Sequence, residues 1–292
     1  MKIIENRTKF FCLSLIVILI GVGFMIYNAA KGNGIFNYDV EFSGGTSIQI
    51  DIGKSFVNSD IEKITSEVTG QSSVQVQKVL NTNQVMIKIK SVEKSVRDKL
   101  INELAQKYNF DKKSVTISDI SPTISNEMQK SAVVSVIIAC LAIMIYISIC
   151  FHNIKTGSSA IIALVHDAII TILSYAVFRI PLNYSFIAVV LTILGYSINA
   201  TIVIFDRVRE NNLRIRNDNA KLVNMSVSQT MRRSLFTSAT TLLTIICLYV
   251  LGVPSIKDFS LPIIVGILCG TYSSICIATS VWFVMNNKKA AK

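Results

Sequence analysis

The sequence predicts an α-helical membrane protein that crosses the bilayer six times and carries a small α+β domain between its first two spans. Three observations predict it. Of the 292 residues, 51% are hydrophobic and only 16% charged, well below the roughly 25% charged content of soluble domains. Six apolar segments approach the ~20 residues that a spanning helix needs: about 10–27, 132–151, 158–178, 184–205, 235–253 and 259–284. Between the first two, residues 31–130 alternate in polarity as strands and amphipathic helices do.

The net charge of +11 is informative through its placement. With the N-terminus in the cytoplasm, Lys2, Arg7, Lys9 and Lys155 lie inside. So do Arg207, Arg209, Arg214, Arg216, Lys221, Arg232 and Arg233 of the expected cytoplasmic basic loop 206–234, and Lys288, Lys289 and Lys292 of the tail. The short outer loops hold Arg179 and Lys257. This positive-inside bias puts both termini in the cytoplasm and accounts for the basic excess. No nucleic-acid partner is expected, because the basic stretch lacks stacking aromatics. Residues 1–30 read as a retained anchor, since Met25, Ile26 and Tyr27 replace a small-residue cleavage site. The six cysteines, Cys12, Cys140, Cys150, Cys247, Cys269 and Cys276, all fall in apolar spans without a CxxC. They read as packing residues; no disulfide, metal or cofactor is expected.

The exported stretch 31–130 reads as a folded domain. Ile48, Ile50 and Ile52 alternate as a half-buried strand. Ser59-Asp60-Ile61-Glu62 has the form of a capping box, with Ile61, Ile64 and Val68 on one helical face and Gly70 placed to end the helix. Val74 and Val76 start a second strand, Asn81-Thr82-Asn83 turns, and Val85, Ile87 and Ile89 form a third. Val96, Leu100, Leu104 and Tyr108 recur at helical spacing before a last strand at Val115 and Ile117. The order is βαββαβ, the ferredoxin-like split unit. This domain has no histidine and no cysteine, so no enzyme is expected.

The remainder, 131–292, holds spans two to six and their polar residues. On the fourth span Gly195, Asn199 and Asp206 share a face. Ser197 and Thr201 lie beside them, and the span ends in Asp206, Arg207, Arg209 and Glu210. Asn199 either bonds a neighbouring helix, with close packing at Gly195, or belongs to an ion pathway. The fifth span is expected to begin at Arg233, followed by Thr237, Thr241 and Thr244 on one face, with Ser238 and Thr240 beside them. Arg233 is either a snorkelling interfacial cation or the group that sets a neighbouring carboxylate's pKa. On the third span Asp167, next to His166, is a proton carrier, a partner of Arg233 or a structural hydrogen-bonding group. On the sixth, Gly266, Gly270, Ser274 and Ala278 form a small-xxx-small packing ribbon.

These residues together resemble the SecF side of the SecD/SecF family of bacterial protein-export subunits, over nearly the whole chain. Glu41-Phe42-Ser43-Gly44-Gly45-Thr46 is similar to the family's D-F-x-G-G-T, with Glu for Asp. Ser121-Pro122-Thr123, His166-Asp167, Gly195-Tyr196-Ser197-Ile198-Asn199 and Phe205-Asp206-Arg207-Val208-Arg209-Glu210-Asn211 resemble further signatures. So do Arg233, Thr237-Ser238, Thr240-Thr241-Leu242-Leu243, Asp258-Phe259 and Gly270-Thr271-Tyr272-Ser273-Ser274. The resemblance implies half of an RND-like (resistance–nodulation–division) arrangement in the bacterial cytoplasmic membrane. It implies SecD and the SecYEG channel as partners, with unfolded exported polypeptides as clients. It also implies drive by the proton or sodium gradient, with a polar centre between the middle spans of the two subunits. The family usually has an aspartate where this chain has Ala200. Either coupling relies on a carboxylate of SecD, or coupling is impaired. Two other classes share parts of the pattern: an RND-type exporter of small molecules or lipids, and a passive membrane assembly or sensor protein.

Overall fold

The computed structural model describes residues 2–32, 34–71, 74–78, 83–151, 154–215 and 218–287. Asn81 and Thr82 of the expected turn, His152, Arg216, Lys288, Lys289 and Lys292 lie outside them. In chain order the elements are α1 (Arg7–Ala30), β1 (Asn37–Tyr38), α2 (Val40–Ser43), β2 (Gly45–Asp51), α3 (Asn58–Thr69), β3 (Gln75–Lys78), β4 (Gln84–Ile89) and α4 (Lys94–Tyr108). There follow β5 (Val115–Ile120), α5 (Pro122–Phe151), α6 (Ile154–Val177), β6 (Pro181–Leu182), α7 (Ser185–Asn212), α8 (Asn219–Leu251), α9 (Pro254–Tyr272) and α10 (Thr279–Asn287). A π-helical turn, Ser273–Ala278, joins α9 to α10. Six helices are long and apolar enough to cross a membrane: Arg7–Ala30, Ile124–Ile149, Ile154–Val177, Ser185–Asn212, Asn219–Leu251 and Ile256–Asn287. The chain divides into two compact units, one of Met1–Asn37, Val134–Ile180 and Ser185–Lys292, the other of Tyr38–Val133 and Pro181–Tyr184.

In the smaller unit the strands lie in the order β3-β4-β2-β5, and all neighbours are antiparallel. The period-two pattern sends Ile48, Ile50, Val85, Ile87 and Ile89 to one face. There they pack with Ile61 of α3 and Leu100 and Leu104 of α4. Burying each such side chain contributes about 1.5–3 kcal/mol. The capping box at Ser59 does not form: α3 starts at Asn58 after an extended Val57, and no side chain caps it. Its far end is as the sequence indicates, with Gly70 left-handed at φ 66°. Gly45 has φ 158°, and a Cβ there would lie 2.9 Å from Val40 Cγ1 and overlap the Ile89 carbonyl oxygen. Thr46 Oγ1 donates to Asp119 at 2.6 Å. That bond, with help from Arg97, holds the exposed Asp119 carboxyl below its ordinary value.

In the larger unit α6, α7 and the last span are the buried helices, whereas α1, α5 and α8 turn most of their apolar side chains outward. That is the distribution expected of a bundle in lipid. The small-residue ribbon is what lets the last span approach α7. A Cβ on Gly266 would overlap the Ile193 side chain, and one on Gly270 would lie 3.1 Å from Ser197 Cβ. Gly266→Leu is therefore expected to cost about 1–3 kcal/mol or more through overpacking. Adding Ile193→Ala should recover part of that loss, as a double-mutant cycle of thermal melting in detergent would show.

Two expected boundaries are corrected. Residues 206–234 are not a loop. α7 runs on to Asn212 and α8 begins at Asn219. The charged ends form helical i,i+3 pairs, Arg209–Asp206 at 3.3 Å and Arg207–Glu210. Leu222, Val223 and Val227 pack against Val208 and against Ile3 and Ile4 of the N-terminal segment. For the same reason α8 does not start at Arg233, which lies about four turns inside it.

Candidate functional site

The polar residues of the bundle sort into two separate places. The first is closed. α6 is a 24-residue helix, which puts Asp167 about 20 Å from its start, near the middle of a bilayer. Asp167 is fully buried. Its Oδ2 accepts from Ser197 Oγ of α7 at 2.5 Å and from Ser273 Oγ of the π turn at 2.6 Å. Its Oδ1 accepts from Cys269 Sγ of α9 at 3.1 Å and lies 3.0 Å from His166 Nδ1. One carboxyl thus ties three spans together.

The wide π turn positions successive serines differently. Ser273 reaches Asp167, while Ser274 Oγ donates to the Ser197 carbonyl at 3.2 Å and bonds Thr201 Oγ1 at 2.9 Å. Single π turns within helices are frequent at functional sites. Asp167 takes no hydrogen bond from Arg233, and Cys269 is more than the packing residue its composition suggested.

The second place is open. A cavity of about 80 Å³ lies between α7 and α8, lined by Tyr196, Asn199, Ala200, Val203, Arg233, Ser234, Thr237 and Ser238. It has room for several waters. Ser238 anchors one wall, bonding Tyr196 Oη at 2.9 Å and Thr271 Oγ1 at 2.6 Å. Asn199 and Arg233 are exposed on its rim. Among the described residues neither side chain has a hydrogen-bond or ion-pair partner. Of the two alternatives for Asn199, a hydrogen bond to another described helix of this chain is not formed.

Gly195 shares the exposed face, and nothing lies within 4 Å of a Cβ placed there, so it packs against none of the described helices. Thr237, Thr240, Thr241 and Thr244 continue along α8, each hydroxyl bonded back to a carbonyl four residues earlier. Their remaining lone pairs line the face. Ser197 and Thr201 point instead to the buried side of α7.

Asp206, Arg207, Arg209 and Glu210 cap this arrangement at the end of α7. Arg207 Nε also donates to Gln229 Oε1 at 2.7 Å, and the buried Asn211 bonds Ser226 at 2.9 Å and Gln229 at 2.8 Å. Arg207 and Asn211 brace the α7–α8 hairpin, Asp206, Arg209 and Glu210 pair along α7, and none of them lines the cavity. Three participants were not legible from spacing: Tyr196, Cys269 and Ser273. The last sits in the Gly270–Ser274 signature, which marked the region but not the role.

Known proteins bear on this arrangement. The family model for "Protein export membrane protein SecD/SecF, C-terminal" matches residues 75–288. A protein translocase subunit SecF of Helicobacter pylori (strain J99) is 32% identical over 271 residues, 92% of this chain and 82% of that one. A SecDF of Bacillus subtilis is 32% identical over 261 residues, 88% of this chain but only 35% of the longer protein. The crystal structure of SecDF from Thermus thermophilus superposes with a TM-score of 0.81 at 29% identity, covering 98% of this chain and 39% of that one. With six apolar helices, polar residues at membrane depth and a family model spanning most of its length, the chain belongs to the SecD/SecF family of protein export membrane proteins.

Proposed function

We propose that this chain acts as the SecF-like subunit of a SecD–SecF complex, assisting the outward movement of unfolded polypeptides through SecYEG at the expense of a proton or sodium gradient. The observation that carries the reading is the open rim of the α7/α8 cavity. Asn199 and Arg233 present unmatched donors on a spanning face, and lipid offers no acceptors. A charge at the bilayer centre costs about 2.5–3.5 kcal/mol even on the mildest scale. A second six-span subunit over this face would cover them. A carboxylate on that subunit would then pair with Arg233, which stays charged at any working pH. Ala200 leaves this chain's own side of the cavity without an acid, so the titrating group belongs to the partner.

In this reading the smaller unit is an exported ferredoxin-like domain within 31–130, presented outside a bacterial cytoplasmic membrane, with both termini inside. The protein is a mechanical accessory, not an enzyme. Co-purification tests the assignment: SecD and SecYEG should be retained by the tagged full-length chain. Retention of an efflux partner alone would favour an exporter, and retention of neither a passive assembly protein.

Orientation is tested separately in a version lacking the native cysteines. Asn83→Cys and Asn183→Cys should react with an impermeant thiol reagent added to intact cells, and Asn217→Cys should not. Labelling at 217 would invert the topology.

A further inference from the structure

We propose that His166, Asp167 and Cys269 form a binding site for one thiophilic divalent cation of the zinc class. Their donor atoms all lie within 4.8 Å of one another, and all three residues are buried. The separations are 3.0 Å for Nδ1–Oδ1, 3.1 Å for Sγ–Oδ1 and 3.7 Å for Sγ–Nδ1. A tetrahedral zinc with bonds of about 2.0–2.3 Å spaces its ligands roughly 3.3–3.7 Å apart, so shifts of a few tenths of an ångström would admit it. Imidazole, carboxylate and thiolate together select zinc, cobalt or cadmium over magnesium.

The Asp167 carboxylate is oriented as a metal ligand requires, whereas His166 Nε2 is buried without a hydrogen-bond partner among the described residues. Ser197 and Ser273 both hold Oδ2, leaving Oδ1 turned toward the sulfur and the imidazole. Such outer hydrogen bonds orient metal ligands. The charges also close. Binding releases the Cys269 thiol proton, and thiolate plus carboxylate neutralise the dication, which avoids burying net charge in a dry interior. The three residues supply three of the four tetrahedral positions. An ion here would staple α6 to α9 on the far side of α7 from the open cavity, with which these three residues share no lining. The inference stands apart from the translocation reading, and its test uses no secretion assay.

Purified full-length chain in detergent is titrated with Co²⁺ and then competed with Zn²⁺ and Mg²⁺. The expected result is one saturable equivalent with a thiolate-to-cobalt absorption band, displaced by Zn²⁺ and not by Mg²⁺. Cys269→Ser should abolish the band. His166→Gln should weaken binding by at least ~10-fold and Ser197→Ala by about 10-fold, the scale of outer-shell losses. Cys276→Ser, whose sulfur is outside the set, should bind as the parent does. Because substitutions here could unfold the bundle, alkylation of the unmodified protein is followed by mass spectrometry in parallel. Zn²⁺ should protect Cys269 and not Cys247. No thiolate band in the parent, a band that survives Cys269→Ser or vanishes in Cys276→Ser, or unprotected Cys269 would overturn the proposal.

Discussion

Arg233→Met is expected to abolish the stimulation of secretion by the SecD-containing complex while leaving the six-helix bundle assembled. Methionine matches the length and apolar character of the arginine stem, so the α8 packing around it is preserved. Among the described residues Arg233 has no side-chain hydrogen-bond or ion-pair partner whose loss would unfold the bundle. What the substitution removes is the fixed positive charge beside the α7/α8 cavity. An acid of the partner facing that cavity would lose a cation worth about 1–3 pKa units. Its pKa would rise, and the proton would no longer be released on the outward stroke. The decisive measurement is proton flux into liposomes holding this protein with and without SecD. Flux by this chain alone would overturn the assignment of the titrating acid to the partner, and flux by the complex unchanged in Arg233→Met would remove Arg233 from the coupling step.

Much of the fold was legible because each environment imposes its own period. Lipid demands ~20 apolar residues in a row, so all six spans were found, with ends shifted where the helices run on beyond the apolar stretch. Strands with one buried face demand alternation, so Ile48 to Ile52 and Val85 to Ile89 stood out. The site was only partly legible. Asn199 and Arg233 belong to α7 and α8, and only the fold shows that they rim one cavity. The hub at Asp167 was harder still, because its partners lie 30, 102 and 106 residues away. A cysteine in an apolar run carries no local mark of such a contact. Spacing put Gly195 and Asn199 on one face with Ser197 and Thr201 beside it, but helical periodicity does not say whether a face turns to a neighbour or to the outside.

Asp167→Ala should be the most damaging single change to the bundle itself. It removes the acceptor for Ser197 and Ser273 and the partner of Cys269 and His166 together. Interhelical hydrogen bonds in membrane bundles contribute about 0.6 kcal/mol on average and up to ~1.7. Losing several at once, and leaving buried donors unmatched, should cost about 2–4 kcal/mol. Ser273 can fall back on the Gly270 carbonyl, 3.2 Å away, which keeps the loss toward the middle of that range. Asp167→Asn separates shape from charge. Its amide fills the same space and keeps one acceptor oxygen, but its NH₂ must face either the paired serines or the thiol. It should recover roughly half of the alanine loss. Unfolding in mixed detergent micelles, followed by helical circular dichroism, measures both variants on one scale. If Asp167→Ala melts with the parent protein, the carboxyl ties nothing together. If Asp167→Asn is as damaging as alanine, charge rather than shape is what α7 and the π turn hold in place.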